Sequence, residues 1–155
     1  MMNGVFVKNM SFKVGQTMTV VGVTKPEAGE IRLSYLFKVN EVCHMSVHCS
    51  FAVNIGPGED TIAFHLNPRF SAHGDSNIIV CNSFEGGSWC QEQREQSFPF
   101  SLGQEFKISI EFTPSEFVVT LQDGSTFRFP NRVGAEKYSA LNFDGDARIQ
   151  TIDIK

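Results

Sequence analysis

The chain has 155 residues, 41% hydrophobic and 19% charged, with a net charge of −4, which is enough for one domain whose core needs no disulfide staples. The acidic balance argues against a nucleic-acid partner, because phosphates dominate such affinity, and no run of about eighteen apolar residues could span a membrane. The start, MMNGVFVKNMSFKVG, has no basic lead into an apolar stretch, so no signal peptide is expected, and Cys43, Cys49, Cys81 and Cys90 are expected as free thiols in a reducing compartment.

In chain order the first clear element is TMTVVGV (17–23), a β-branched run that reads as a strand. Residues 30–49 follow. Ile31, Leu33, Tyr35, Phe37 and Val39 alternate with mostly polar neighbours, so the segment can form an extra strand; left uncovered, it is an exposed, β-prone patch. Cys43-His44 and His48-Cys49 imitate a metal-ligand cluster, but the paired spacings of a zinc site are incomplete and no metal is expected. Further strands are predicted at SFAVNI (50–55), TIAFHL (61–66), SNIIVCNSF (76–84), EFKISIEF (105–112), EFVVTLQ (116–122) and ARIQTIDI (147–154). Breaks fall at Gly56-Pro57-Gly58, His73-Gly74-Asp75, Gly86-Gly87 and Asp123-Gly124, the last inside a hairpin signal. No helix-length apolar period stands out. Many short strands with close turns imply an all-β fold, a two-sheet antiparallel sandwich or jelly roll. Phe106, Phe112, Phe117, Phe127, Phe129 and Phe143 alternate with polar neighbours and are expected between the sheets.

Chemistry concentrates between residues 65 and 94. In HLNPRF, His65, Asn67 and Arg69 share one parity while Phe64, Leu66 and Phe70 share the other, so an extended chain puts the polar three on one surface. Asn82 follows on the next strand with Val80 at the same parity. Trp89, the sole tryptophan, then comes close to Glu92 and Arg94. Hydrogen-bonding groups beside one flat aromatic ring suit a sugar, which has a belt of hydroxyls and an apolar C–H face. The plainer readings are an ordinary histidine at His65 and at His73, Asp75 capping its own turn, and Glu92 with Arg94 as a surface ion network of little energetic value. What separates the readings is whether these charges line one groove with Asn82. Two tensions arise within the motif. Pro68 cannot donate to a ladder, so an edge or bend is expected with the chain turning just after Arg69. Trp89 and Glu92 have opposite parity, so a bulge or turn between them is required. A glycosidase needs one carboxyl with a raised pKa, and arginines beside Glu92 act in the opposite direction, so no catalysis is expected.

The segment HLNPRFSAHGDSNIIVCNSFEGGSWCQEQREQSFPF resembles the carbohydrate-recognition segment of the galectins. The flanks VKNMSFKVGQTMTVVGVTKPEAG and FPNRV fit as well, and only residues 30–49 depart, reading as a twenty-residue insertion in the loop after the second core strand of a single domain, 1–155. The resemblance implies a prototype β-galactoside-binding lectin without metal or cofactor. It implies His65, Asn67 and Arg69 on the galactose 4-hydroxyl and ring-oxygen side, Asn82 and Glu92 on the 6-hydroxyl, and Arg94 on the neighbouring sugar. Trp89 would stack on the ring; His73, Asp75 and Val80 complete the candidate set. It further implies a homodimer through the terminal strands, where Val5, Phe6, Val7, Ile152 and Ile154 lie, and a protein cytoplasmic and also extracellular, exported without a signal peptide. The alternative is an isoform whose insertion has abolished glycan binding.

Overall fold

The computed structural model describes residues 4–25 and 48–155. The readings of an added strand at 31–39 and of Cys43 and His44 lie outside these residues. The described strands are β1 (Val5–Val7), β2 (Phe12–Lys13), β3 (Thr17–Thr24), β4 (Cys49–Gly56), β5 (Ile62–Ala72), β6 (Asp75–Glu85), β7 (Ser88–Trp89), β8 (Gln93–Glu95), β9 (Glu105–Phe112), β10 (Glu116–Leu121), β11 (Thr126–Pro130), β12 (Lys137–Tyr138), β13 (Ala140–Gly145) and β14 (Ala147–Ile154). They form two antiparallel sheets. One runs β1-β13-β4-β5-β6-β7, with β8 also paired to β6; the other runs β11-β10-β9-β3-β14, and β2 pairs with β12 separately. The all-β sandwich follows from alternation. In β3 and β9 buried residues alternate with more exposed ones, so each strand gives one face to the interior.

That interior is aromatic. Phe64 on β5 stacks on Phe117 of β10 at 4.9 Å and on Phe129 of β11 at 5.0 Å, and Phe51 on β4 stacks on Phe106 of β9 at 4.7 Å. Each pair crosses from one sheet to the other, so ring contacts and hydrophobic burial act on the same interface. All six phenylalanines expected between the sheets are buried. Cys81 lies among them, and burial pushes its thiol well above the ordinary range, with Glu95 adding to the effect.

Two local expectations meet different fates. The Asp123-Gly124 hairpin forms between β10 and β11, with Gly124 at φ 84° and the Asp123 carboxylate accepting from Ser125 N at 2.9 Å. The turn expected after Arg69 does not form. β5 continues to Ala72 and reverses at His73-Gly74, whose φ values of 52° and 82° suit a tight two-residue hairpin.

Pro68 stays inside this strand because its missing donor has a substitute. The pairs Ser50↔Arg69 and Val53↔Leu66 put Phe51 opposite Pro68. The Phe51 carbonyl accepts instead from Asn67 Nδ2 at 2.7 Å. A side-chain amide thus fills the ladder position that proline leaves empty.

Candidate functional site

One face of the larger sheet collects the polar residues of the motif. Register places His65 opposite Asn82, Asn67 opposite Val80, and Val80 opposite Arg94 in turn. Directly opposite residues in antiparallel strands share a face, so β5, β6 and β8 present one continuous surface. Trp89 joins it by a shift in register. On β7 it pairs with Phe84, whereas β8 pairs with β6 one residue out of step, and the extra residue between them resolves the opposite parities of Trp89 and Glu92.

The polar groups are locked to one another. Arg69, only 9% exposed, donates from Nε to Asn67 Oδ1 at 2.8 Å and from one terminal nitrogen to Asp75 Oδ2 at 2.7 Å. Asp75 gives its other oxygen to Arg94 at 2.6 Å, and Arg94 reaches Glu92 at 2.9 Å. The Asp75 carboxyl is held below the usual carboxylate range by hydrogen bonds from Arg94 and Arg69. Asp75 therefore does more than cap a turn; it fixes two guanidinium groups on one face.

His65 lies at the centre. Its Nδ1 is 2.6 Å from Asn54 Oδ1 on β4, and its ring centre is 4.6 Å from that of Trp89. Burial lowers its pKa to about 4, with Arg69 acting in the same direction and with Glu92 and hydrogen bonding to Asn67 opposing. Trp89 is 51% exposed and leans edge-on against Phe84 at 5.2 Å, so one large apolar ring stands open beside the polar row.

The other candidates take varied positions. Asn82, nearly buried, donates to the Cys90 carbonyl at 2.9 Å and accepts from Ser83 N at 2.8 Å. Val80 is buried between Asn67 and Arg94 in register, and so serves as packing beneath the groove. His73 is exposed in the hairpin, its ring edge-on to His48 at 5.3 Å. Cys90, next to Trp89, is exposed, and Cys49 is buried at the start of β4. Among the described residues no group of three or more His, Cys, Asp or Glu side chains is placed to hold a metal ion, and no helix is long and apolar enough to cross a membrane.

Three supporting residues lie outside the candidate set. Asn54 and Asn142 continue the His65 row across β4 and β13, with Asn54 Nδ2 donating to Asn142 Oδ1 at 3.1 Å. Arg132, just past β11, donates to Asn82 Oδ1 at 3.3 Å and Ser83 Oγ at 3.1 Å, with its guanidinium over Phe129 at 4.7 Å. Its neighbour Asn131 accepts from the Tyr138 hydroxyl and donates to Ala135 O at 3.0 Å, which anchors the loop that carries Arg132. Beyond Asn54 the same face dips into a cleft of about 220 Å³ edged by Phe6, Ile62, Ala140 and Asn142.

The low pKa of His65 gives a pH prediction. The folded state holds this ring neutral down to about pH 4, while the unfolded chain protonates it near 6.5. Between those values the unfolded state binds more protons, so stability is lost as pH falls. Urea unfolding is expected to show a loss from this group on the order of 2 kcal/mol between pH 7 and 4.5, absent in His65→Gln. Equal pH slopes in the two proteins would contradict it.

The chain is similar to known proteins over nearly its whole length. A family model described as galactoside-binding lectin matches residues 4–154. The chain is 43% identical over 154 residues to a beta-galactoside-binding lectin of Electrophorus electricus, covering 99% of each. The crystal structure of Dario rerio galectin-1-L2 superposes with a TM-score of 0.82 at 49% identity, covering 97% of this chain and 98% of that one. Lactose- and MES-liganded congerin II superposes at 0.81 with 31% identity, covering 99% and 100%.

Proposed function

The chain belongs to the galectin family of galactoside-binding lectins, and from that premise we propose that it binds β-galactosides on the face formed by β5, β6, β7 and β8. The observation that carries this reading is the Arg69–Asp75–Arg94 lock beside a half-exposed Trp89. Fixed donors in a partly buried setting meet an axial hydroxyl at little ordering cost, and a sugar lacking it leaves polar atoms unpaired. His65, Asn67 and Arg69 take the galactose 4-hydroxyl, Asn82 and Glu92 the 6-hydroxyl, and Arg94 the next sugar. Trp89 covers the apolar ring face. Val80 supports them from below, and His73 borders the site at the hairpin.

The protein is a non-catalytic lectin. Asp75 divides its oxygens between two arginines and Glu92 is paired with one of them, an arrangement for holding charge rather than for releasing a proton. Affinity for a single sugar is weak, since hydroxyls exchange water for protein hydrogen bonds at little net gain.

Two sites on one particle raise avidity. A homodimer through the terminal strands supplies them: β1 and β14 each lie at one edge of their sheet, and Val5, Phe6 and Ile152 are exposed there. Sedimentation at micromolar concentration is expected to give a dimer, and Phe6→Asp a monomer that still binds lactose. In the cell we place the protein in the cytoplasm and also outside it.

Residues 30–49 are read as an insertion that follows β3 and ends at Cys49, the first residue of β4, within one recognition domain spanning 1–155. Retention on immobilised lactose, with elution by free lactose, tests the whole proposal. The full chain is expected to bind, as is a version lacking 30–49. Binding by the shortened form alone would mean that the insertion disables an intact site; no binding by either folded protein overturns the lectin reading.

A further inference from the structure

The amides beside His65 have placed partners, and those partners bear on where the ring proton lies. The row Asn142–Asn54–His65–Asn82 crosses β13, β4, β5 and β6 in register. Asn54 Nδ2 is committed to Asn142 Oδ1 at 3.1 Å, so Asn54 turns its oxygen toward His65, 2.6 Å from Nδ1. An amide oxygen only accepts, and Nδ1 must therefore carry the ring proton. We propose that Asn54 and Asn142 are positioning residues of this site, fixing His65 as the Nδ1–H tautomer so that Nε2 meets the ligand as an acceptor only. The inference rests on the galactoside reading above.

The consequence is a rule for the ligand. A neutral Nε2 requires a hydroxyl that donates, whereas the free guanidinium hydrogens of Arg69 require one that accepts. A single sugar hydroxyl held between them satisfies both, but a fluorine or a methyl ether at the same carbon cannot. The charged groups acting on the ring are Arg69 on its own strand and Glu92 on the segment past β7, while β4 and β6 set neutral Asn54 and Asn82 beside it. Burial and Arg69 favour the neutral ring, so the same tautomer persists through the neutral pH range.

Long-range ¹H–¹⁵N correlation spectra of the ligand-free, full chain at pH 7 read the tautomer directly. His65 is expected to show a protonated Nδ1 and an unprotonated Nε2. A protonated Nε2 overturns the inference whatever the protein binds. A methyl β-galactoside fluorinated at C4 is expected to bind roughly ten- to hundredfold more weakly than its parent; equal affinity overturns the acceptor role. Asn54→Asp keeps an acceptor on Nδ1 but adds a negative charge, so its lactose binding should fall off at a higher pH than that of wild type. Asn142→Leu should mix the tautomers and weaken lactose binding severalfold, and Asn142→Asp, which restores the acceptor, should recover both. If Asn142→Leu keeps the wild-type spectrum and affinity, the relay is wrong. Absence of lactose binding in a wild type that shows the expected tautomer instead removes the galactoside reading, and the positioning role with it.

Discussion

Replacing Arg69 is expected to abolish retention on lactose and also to destabilise the domain. The side chain is 9% exposed and ties Asn67 to Asp75, so truncation leaves Asn67 Oδ1 and half of Asp75 without their donor. Removing one partner of a partly buried ion pair leaves the other charge less compensated, although Arg94 remains on Asp75 and moderates the loss. Arg69→Ala therefore confounds folding with binding. Arg69→Lys separates them. It keeps the charge near Asp75 but cannot also present the Nε–H that holds Asn67, because an ammonium lacks the planar fork. We expect Arg69→Lys to lose less than about 2 kcal/mol in urea unfolding and yet to bind lactose at least about tenfold more weakly. Wild-type elution of Arg69→Lys would mean that the guanidinium does not touch the sugar.

That a single arginine serves both fold and site reflects how HLNPRF is written into the sheet. Its alternation was legible because a period of two needs only local sequence, and β5 bears it out: Phe64 and Leu66 are buried while His65 faces the groove. The strands at 17–23, 50–55, 76–84, 105–112, 116–122 and 147–154 were legible for the same reason and correspond to β3, β4, β6, β9, β10 and β14. Strands of two or three residues such as β2, β7, β8 and β12 are too short for a period to show. Pro68 misled because its rule concerns the backbone, whereas the structure answers with the side chain of Asn67.

Cross-strand partners were out of reach for a different reason. Asn54 and Asn142 are 88 residues apart in the chain, and only the pairing of β4 with β13 makes them neighbours. Arg132 reaches Asn82 across 50 residues of sequence. The motif thus named the residues of the polar face, while those holding them in place are defined by register. Asn54 came nearest to being found: in SFAVNI it is the one large polar side chain facing the groove between otherwise apolar neighbours.

Trp89→Ala is expected to separate binding from stability most sharply. Half of this side chain is already in solvent, and its ring packs against those of His65 and Phe84. Its removal forms no internal cavity, so unfolding free energy should change by about 0.5 kcal/mol or less. Binding should suffer far more, because this ring is the large exposed apolar surface next to His65. Aromatic anchors at the centre of a binding face typically contribute about 2 kcal/mol or more, which corresponds to roughly thirtyfold in Kd. Trp89→Phe keeps a smaller ring and should recover part of that loss, whereas Trp89→Leu, apolar but without a π face, should not. The wild-type chain reports on itself, since this is its sole tryptophan: added lactose should shift and quench the emission, and a non-galactoside disaccharide should leave it unchanged. Unchanged emission in a protein that nevertheless elutes with lactose would move the sugar off Trp89 and onto another part of the sheet.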